Sequence, residues 1–448
     1  MSYDILIKNA KTRKCAELVS IAIEGGKIAA IEKDLHADAK QVIDAKGGLV
    51  TESFINGHLH LDKVYTLQMA GEAALKAYNG DGMGGAMTSI ERAADFKAAY
   101  DESWIIPNVR KACDLAVKYG NTHIRAFADV DTKARLEGVK ALLKAREEYK
   151  GRVELQVVAF PQDGVAREPG AKELVKQALD LGADVVGGIP WIEFTKEDEQ
   201  DHVDSMCAYA KEYDKPISML LDDVGDAEER TLEMLCKQSI AMGWQGRVTA
   251  QHCRAMELYP ENYFRKLTSL LKQAGVGIVS DPHTGPLAAR VKDLLAAGVP
   301  VALGQDDIQD AYYPFGECNM LQVAFLASHL LRMLTFDDMD LLYDMITTTA
   351  AKVLGIENHE LKVGGNADIV VLDESDVYHA IWYHRAPVYV IKDGKDITVK
   401  ASPHRHEGRP HRAGLLYSRS NSKAPLSIRI PPCGDSGSKR SAVAAMGL

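Results

Sequence analysis

The chain has 448 residues, a formal net charge of −10 and a hydrophobic content of 46%. That length suits one large domain plus a smaller one, and the acidic balance excludes nucleic acid and anionic membrane surfaces as natural partners. No apolar run reaches the ~18 residues of a membrane span, Met1-Ser2-Tyr3-Asp4-Ile5 lacks the basic and apolar regions of a signal peptide, and seven cysteines without a C-x-x-C pair predict reduced thiols and a cytoplasmic location.

Residues 4–50 alternate in short strands, Ile5–Ile7, Val19–Ile23, Lys27–Ile31 and Gln41–Ile43, separated by turn residues such as Gly25-Gly26. From 56 to 360 the pattern changes to strand and helix in alternation. Apolar runs at 123–127, 153–160, 185–190, 217–221, 248–252, 276–280 and 301–304 read as buried strands. Helical periodicity lies between them at 112–119, 135–148, 171–181, 228–241, 263–274 and 288–297. With the strand before His58 this makes eight strand–helix units, which predicts a parallel (β/α)8 barrel whose function sits at the C-terminal ends of its strands. Two further strands follow, Gly365–Asp373 and Pro387–Lys395. The Ser-, Pro- and Gly-rich stretch from 402 to 448 reads as a disordered tail.

The strand ends carry the chemistry. In Gly57-His58-Leu59-His60 the two imidazoles are at i and i+2, so an extended strand projects them on one face about 6–7 Å apart. Such a pair can chelate one cation; the alternative is one buried and one exposed histidine. The sixth strand ends in His252 and the eighth in Gly304-Gln305-Asp306-Asp307. Imidazoles plus a carboxylate suit zinc or ferrous iron, while either aspartate could instead cap a helix. Gln162 ends the third strand, and its amide, donor and acceptor at once, matches a lactam or ureide edge. Trp191 ends the fourth and is placed to wall a pocket, or to serve in ordinary packing. His283 follows the seventh strand as a further site candidate or a loop hydrogen-bonder.

The run Ile55-Asn56-Gly57-His58-Leu59-His60-Leu61-Asp62 resembles the first-strand motif of the amidohydrolase superfamily, in its cytosine deaminase branch, which also holds the N-alkyl ammelide hydrolases. The resemblance extends from Tyr3 to about Ala401. It implies a small β-sandwich built from both chain ends, residues 1–55 with 361–401, beside a barrel over 56–360. It further implies one divalent metal held by His58, His60 and Asp306, with Asp306 also the general base, His252 steadying the attacking water, and Gln162 and Asp307 on the substrate ring. Three departures stand out. On the fifth strand Leu220 occupies the place of the family's metal-binding His and Asp223 that of its catalytic Glu; on the second Phe127 stands for a His; and before the eighth-strand Asp, Gln305 stands where a His is common. Asp223 or His252 is then the expected proton shuttle. The expected activity is hydrolysis of a C–N bond, by deamination or cyclic-amide opening, in a small nitrogen heterocycle more apolar or larger than cytosine. The alternative is a relative that binds a small molecule without hydrolysing it. The resemblance also implies a homo-oligomer.

Overall fold

Five strands open the chain: β1 (Tyr3–Thr12), β2 (Cys15–Glu24), β3 (Lys27–Glu32), β4 (Ala39–Asp44) and β5 (Val50–Glu52). Eight more follow as β6 (Phe54–Leu59), β7 (Asn121–Asp129), β8 (Glu154–Phe160), β9 (Val185–Gly188), β10 (Ile217–Leu221), β11 (Val248–His252), β12 (Val276–Ser280) and β13 (Val301–Leu303). The computed structural model describes residues 2–33, 35–71, 75–76 and 97–399. The expected tail from 402 onward lies outside the described residues.

Strands β6 to β13 pair in chain order, all parallel, in one sheet. The seam between first and last is joined by a parallel bridge, Leu59 with Asp306. Its hydrogen bonds run from His60 N to Asp306 O (2.8 Å) and from Asp306 N to His58 O (2.9 Å). Closing the barrel therefore brings His58, His60 and Asp306 together. Gly304 makes that approach possible: a Cβ there would lie 2.6 Å from the Cβ of His58 and would collide with the Asp281 carboxylate.

Alternation along each strand sorts side chains between barrel interior and helix layer. On β7, Ile124, Ala126 and Ala128 join the large core shared with the helices, while Phe127 joins an inner cluster. On β8, Leu155, Val157 and Ala159 face the helices, and Val158 and Phe160 face inward. A second inner cluster, with Ile55, Val279 and Ala302, packs on the helix Thr348–Leu354.

Helices Glu137–Glu148, Ala171–Asp180, Thr231–Met242, Glu261–Ala274 and Val291–Ala296 occupy the predicted intervals. The helix predicted from 112 starts earlier, at Glu102, where Asp101 accepts from Ser103 N; Pro107 lies in its second turn. Helices Met320–Leu330, Phe336–Asp344 and Thr348–Leu354, after β13, fall outside the predicted intervals, as does the barrel helix Lys196–Glu212. Its first turns are nearly all charged, and its buried stripe is mixed: Glu199, His202, Val203, Met206, Cys207 and Ala210. That composition hides the apolar period.

The last strands are β14 (Ile369–Val371), β15 (Tyr389–Lys392) and β16 (Lys395–Asp396). They form a sheet with β5, in the order β16-β15-β14-β5, and β1–β4 form another, in the order β3-β2-β1-β4. The sheets share a core in which Ile5, Ile7, Ile21 and Ile23 meet Ala367, Ile369, Val371 and Ile391. Both chain ends thus build a side unit in which each supplies the apolar face the other lacks. No helix among the described residues is long and apolar enough to cross a membrane.

Candidate active site

One ligand atom each from His58, His60 and Asp306 lies within 4.8 Å of the other two at the C-terminal mouth of the barrel. His58 Nε2 is 3.2 Å and His60 Nε2 3.8 Å from Asp306 Oδ1. His252 Nε2 approaches the same oxygen at 3.8 Å. All four residues are buried. His58 Nδ1 and Nε2 and His60 Nδ1 have no hydrogen-bond partner, although unpaired buried polar atoms cost free energy. A divalent cation, which suits imidazole nitrogen with a carboxylate oxygen, would satisfy this donor set. The backbone supports the same reading: Asp306 and His252 sit at φ of 65° and 63°, a left-handed conformation that non-glycine residues adopt mostly where surroundings impose it.

Electrostatics separates the carboxyls. Burial alone would raise Asp306, but His252, His58 and His60 outweigh it and hold Asp306 well below the usual carboxylate range. Burial, then Asp306 and Asp310, push Asp307 well above it. Asp281 is likewise raised, by burial and then by Asp306. Burial lowers His252 to about 4. Burial and neighbouring charge thus drive Asp306 toward its charged form and Asp307, Asp281 and the His252 imidazole toward their neutral forms. Such divergence between neighbouring groups is how a site assigns acid and base roles.

The remaining predicted residues divide. Asp223 faces the mouth, and its Oδ1 accepts from Arg254 Nη1 at 2.6 Å. Arg254 Nη2 also donates to Thr284 Oγ1 (2.7 Å) and lies 3.7 Å from Asp306 Oδ2. Thr284 Oγ1 in turn donates to that Oδ2 at 2.5 Å. Asp222 points away from the mouth. It accepts from Thr231 N and Oγ1 and from Tyr259 Oη (2.6–2.8 Å) and so anchors the start of the next helix. His283 has the loop role: its Nε2 donates to Gln305 O at 3.1 Å, and its ring meets Tyr313. The seventh-strand residue that turns to the site is instead Asp281, whose Oδ2 is 3.3 Å from His252 Nδ1.

Leu220 and Phe127 take their places in an apolar wall. The Phe127 ring lies 4.2 Å from that of His58 and 5.3 Å from Phe160. Leu220, Ile189 and Trp191 line the cavity opposite the histidines. Trp191 is buried, yet its indole Nε1 has no partner. Gln162 lines the cavity too, but its carbonyl oxygen accepts a short hydrogen bond from Lys63 Nζ, and its amide donates to Tyr312 Oη at 3.3 Å. Lys63 is fully buried and also donates to both oxygens of Asp129 at 3.1 Å.

Sequence reasoning missed Arg254, Thr284, Asp281 and Lys63. Arg254 and Lys63 had a signal, a cation two or three residues past a candidate ligand. Asp281 had its own, a strand-end position. Thr284 had none.

A profile of the amidohydrolase family matches residues 41–397. The chain is 32% identical over 397 residues to an N-isopropylammelide isopropyl amidohydrolase of Pseudomonas sp. (strain ADP), covering 88% of this chain and 97% of that one. A crystal structure of 5-methylcytosine deaminase from Klebsiella pneumoniae, liganded with 5-fluorocytosine, superposes with a TM-score of 0.80 at 30% identity, covering 89% of this chain and 98% of the other. An N-isopropylammelide isopropylaminohydrolase from Burkholderia multivorans superposes with a TM-score of 0.74 at 27% identity, again over 89% and 98%.

Proposed function

The chain belongs to the amidohydrolase family, and from that premise we propose that it hydrolyses an exocyclic C–N bond of a small oxo- and amino-substituted nitrogen heterocycle, with one zinc or ferrous ion at the barrel mouth. The observation that carries this reading is the convergence of His58, His60 and Asp306 within 4.8 Å, with imidazole nitrogens otherwise unpaired. The pyrimidine and triazine chemistry in the names of the related proteins supports the choice of ring.

When bound, the cation lowers the pKa of a water toward ~7 and makes hydroxide available at neutral pH. Asp306 Oδ1 faces the three imidazoles, while Oδ2 is held by Thr284 and faced by Arg254; this carboxylate takes the proton of the attacking water. His252, braced by Asp281, orients that water through Nε2. The proton taken by Asp306 is then passed to Asp223, positioned by Arg254, which hands it to the leaving amine and returns to the carboxylate. Asp307, biased toward its neutral form by burial and then by Asp306 and Asp310, donates to the ring, as does the unpaired indole Nε1 of Trp191. Gln162, with its oxygen held by Lys63, shapes the wall and leaves the reading of the substrate edge to Asp307 and Trp191. Leu220 and Ile189 pack against the ring face, and Phe127 backs His58 and His60.

The test is amine or ammonia release by the holoenzyme from 5-methylcytosine, pterin and an N-alkyl ammelide, beside Asp306→Asn. Turnover of one of them, lost in the variant, is expected. A second reading, binding without hydrolysis, draws on Leu220 in place of a fourth ligand. Metal-loaded protein that binds these rings and releases nothing from any of them would select it. We also assign the chain to the cytoplasm as a homo-oligomer; the former is supported by six described cysteines that are all free, and the latter by the family resemblance alone.

A further inference from the structure

A second cluster of histidines and aspartate lies at the opposite, N-terminal end of the barrel. His123 (on β7), His359 (in the segment after the barrel) and Asp368 (just before β14) place one ligand atom each within 4.8 Å of one another. All three are buried, and His123 lines a cavity of about 1010 Å³ together with Glu154 and Lys392. From this cluster we propose that the chain binds a second divalent transition ion of the zinc class, independent of the site at the mouth.

The hydrogen bonds already present orient the ligands for it. His359 Nε2 is 2.8 Å from the carbonyl oxygen of Ser53. A carbonyl only accepts, so Nε2 carries the proton and Nδ1 presents a lone pair. That Nδ1 is buried, has no hydrogen-bond partner, and faces Asp368 Oδ2 at 4.0 Å. Two acceptors aimed at each other in a dry place call for a cation between them. His123 Nδ1 meets Thr122 Oγ1 at 2.9 Å, a hydroxyl able to accept its proton, and Nε2 faces Glu154 Oε2 (3.5 Å) and Asp368 Oδ2 (3.9 Å). A ring nitrogen tied to a backbone carbonyl or hydroxyl, with the other directed at the ion, is the usual support for a histidine ligand.

Lys392 does not fill this role. Its ammonium has three protons, and they are taken by Glu154 Oε1 (2.7 Å), Asp368 Oδ2 (3.0 Å) and Asp393 Oδ1 (3.3 Å). None remains for His359 Nδ1. Three carboxylates against one ammonium also leave a negative excess, which favours a dication over a second lysine. Tetrahedral ligands ~2.0 Å from zinc lie about 3.3 Å apart, so the cluster closes on an ion by shifts of up to about an ångström. Glu154, half exposed on the cavity side, serves as the fourth ligand and the entry point. The ion would tie the floor of the barrel to the side unit formed by the chain ends.

The test is zinc titration of the full chain, followed by equilibrium dialysis, metal analysis and thermal melting. His359→Gln keeps a donor for Ser53 and removes the lone pair, Glu154→Gln alters only a half-exposed group, and His58→Ala disables the mouth. The expected result is one zinc fewer per chain in His359→Gln than in wild type, and at least tenfold weaker binding of that zinc in Glu154→Gln. His58→Ala retains this zinc and its rise in melting temperature. Turnover stays at the wild-type level in the first two variants. Zinc binding equal to wild type in both His359→Gln and Glu154→Gln overturns the proposal, as does a His58→Ala protein that binds none.

Discussion

The two halves of the barrel mouth are built to opposite specifications. The half from β6, β11 and β13 carries His58, His60, His252 and Asp306, with Asp281 behind them. The half from β7 to β10 carries Phe127, Phe160, Ile189, Trp191 and Leu220. Both are buried, yet several polar atoms of the first half lack partners, while the second is satisfied by packing apart from the indole of Trp191. A polar crescent with unpaired ligand atoms suits a cation, and an apolar crescent beside it suits the exclusion of water and the face of a flat ring. Leu220 and Phe127, which the resemblance sets in the places of two histidines, both belong to the apolar half.

The comparison breaks most sharply at Asp306. On the proposed reading Asp306 is both base and ligand, so Asp306→Asn should lower kcat/KM on any accepted substrate at least ~10³-fold; a loss under tenfold would place the chemistry elsewhere. Asp223→Asn comes next. It keeps an acceptor for Arg254 but removes the ionisable carboxyl, and should lower kcat by ~10² with little change in KM, because proton delivery and not binding is lost. An unchanged kcat and pH profile would remove Asp223 from the reaction.

Leu220→His sharpens the contrast by returning an imidazole to the apolar half. If three protein ligands hold the ion, the variant should resist a chelator roughly tenfold longer than wild type, as a fourth ligand slows release; equal rates of metal loss would mean that Leu220 does not face the ion. Trp191→Phe keeps the ring and deletes the unpaired N–H. One hydrogen bond at about 1 kcal/mol predicts a KM about fivefold higher at constant kcat, so an unchanged KM would return Trp191 to plain packing. The smallest effect is on stability against pH. Burial lowers both His252 and His359 to about 4, below the ~6.5 of an unfolded histidine. Their contribution is complete above pH ~6.5 and is lost as pH falls toward 4, because the unfolded chain then binds protons that the folded chain refuses. Melting of metal-stripped protein between pH 7.5 and 4.5 measures it, and the slope should flatten in His359→Gln.

Much of this was legible in the sequence where burial is uniform. β10, β11 and β12 coincide with the predicted runs at 217–221, 248–252 and 276–280, since a parallel strand covered on both faces is apolar throughout. The helix Lys196–Glu212 was not legible, because its buried face includes Glu199 and His202. At the mouth, the H-x-H pair, His252 and Asp306 are visible as polar residues ending apolar strands. The pairing of Asp223 with Arg254, of Asp281 with His252 and of Lys63 with Gln162 joins residues from different strands. Those contacts arise only when the barrel closes, and no local spacing encodes them.

The central claim is that His58, His60 and Asp306 form a metal centre facing an apolar wall. Its most direct test is the metal content of the protein purified without added metal or chelator, beside His58→Ala and Asp306→Ala. The account predicts one metal per chain fewer in each variant than in the parent. Equal content in all three, or a parent that takes up neither zinc nor ferrous iron on reconstitution, would contradict it.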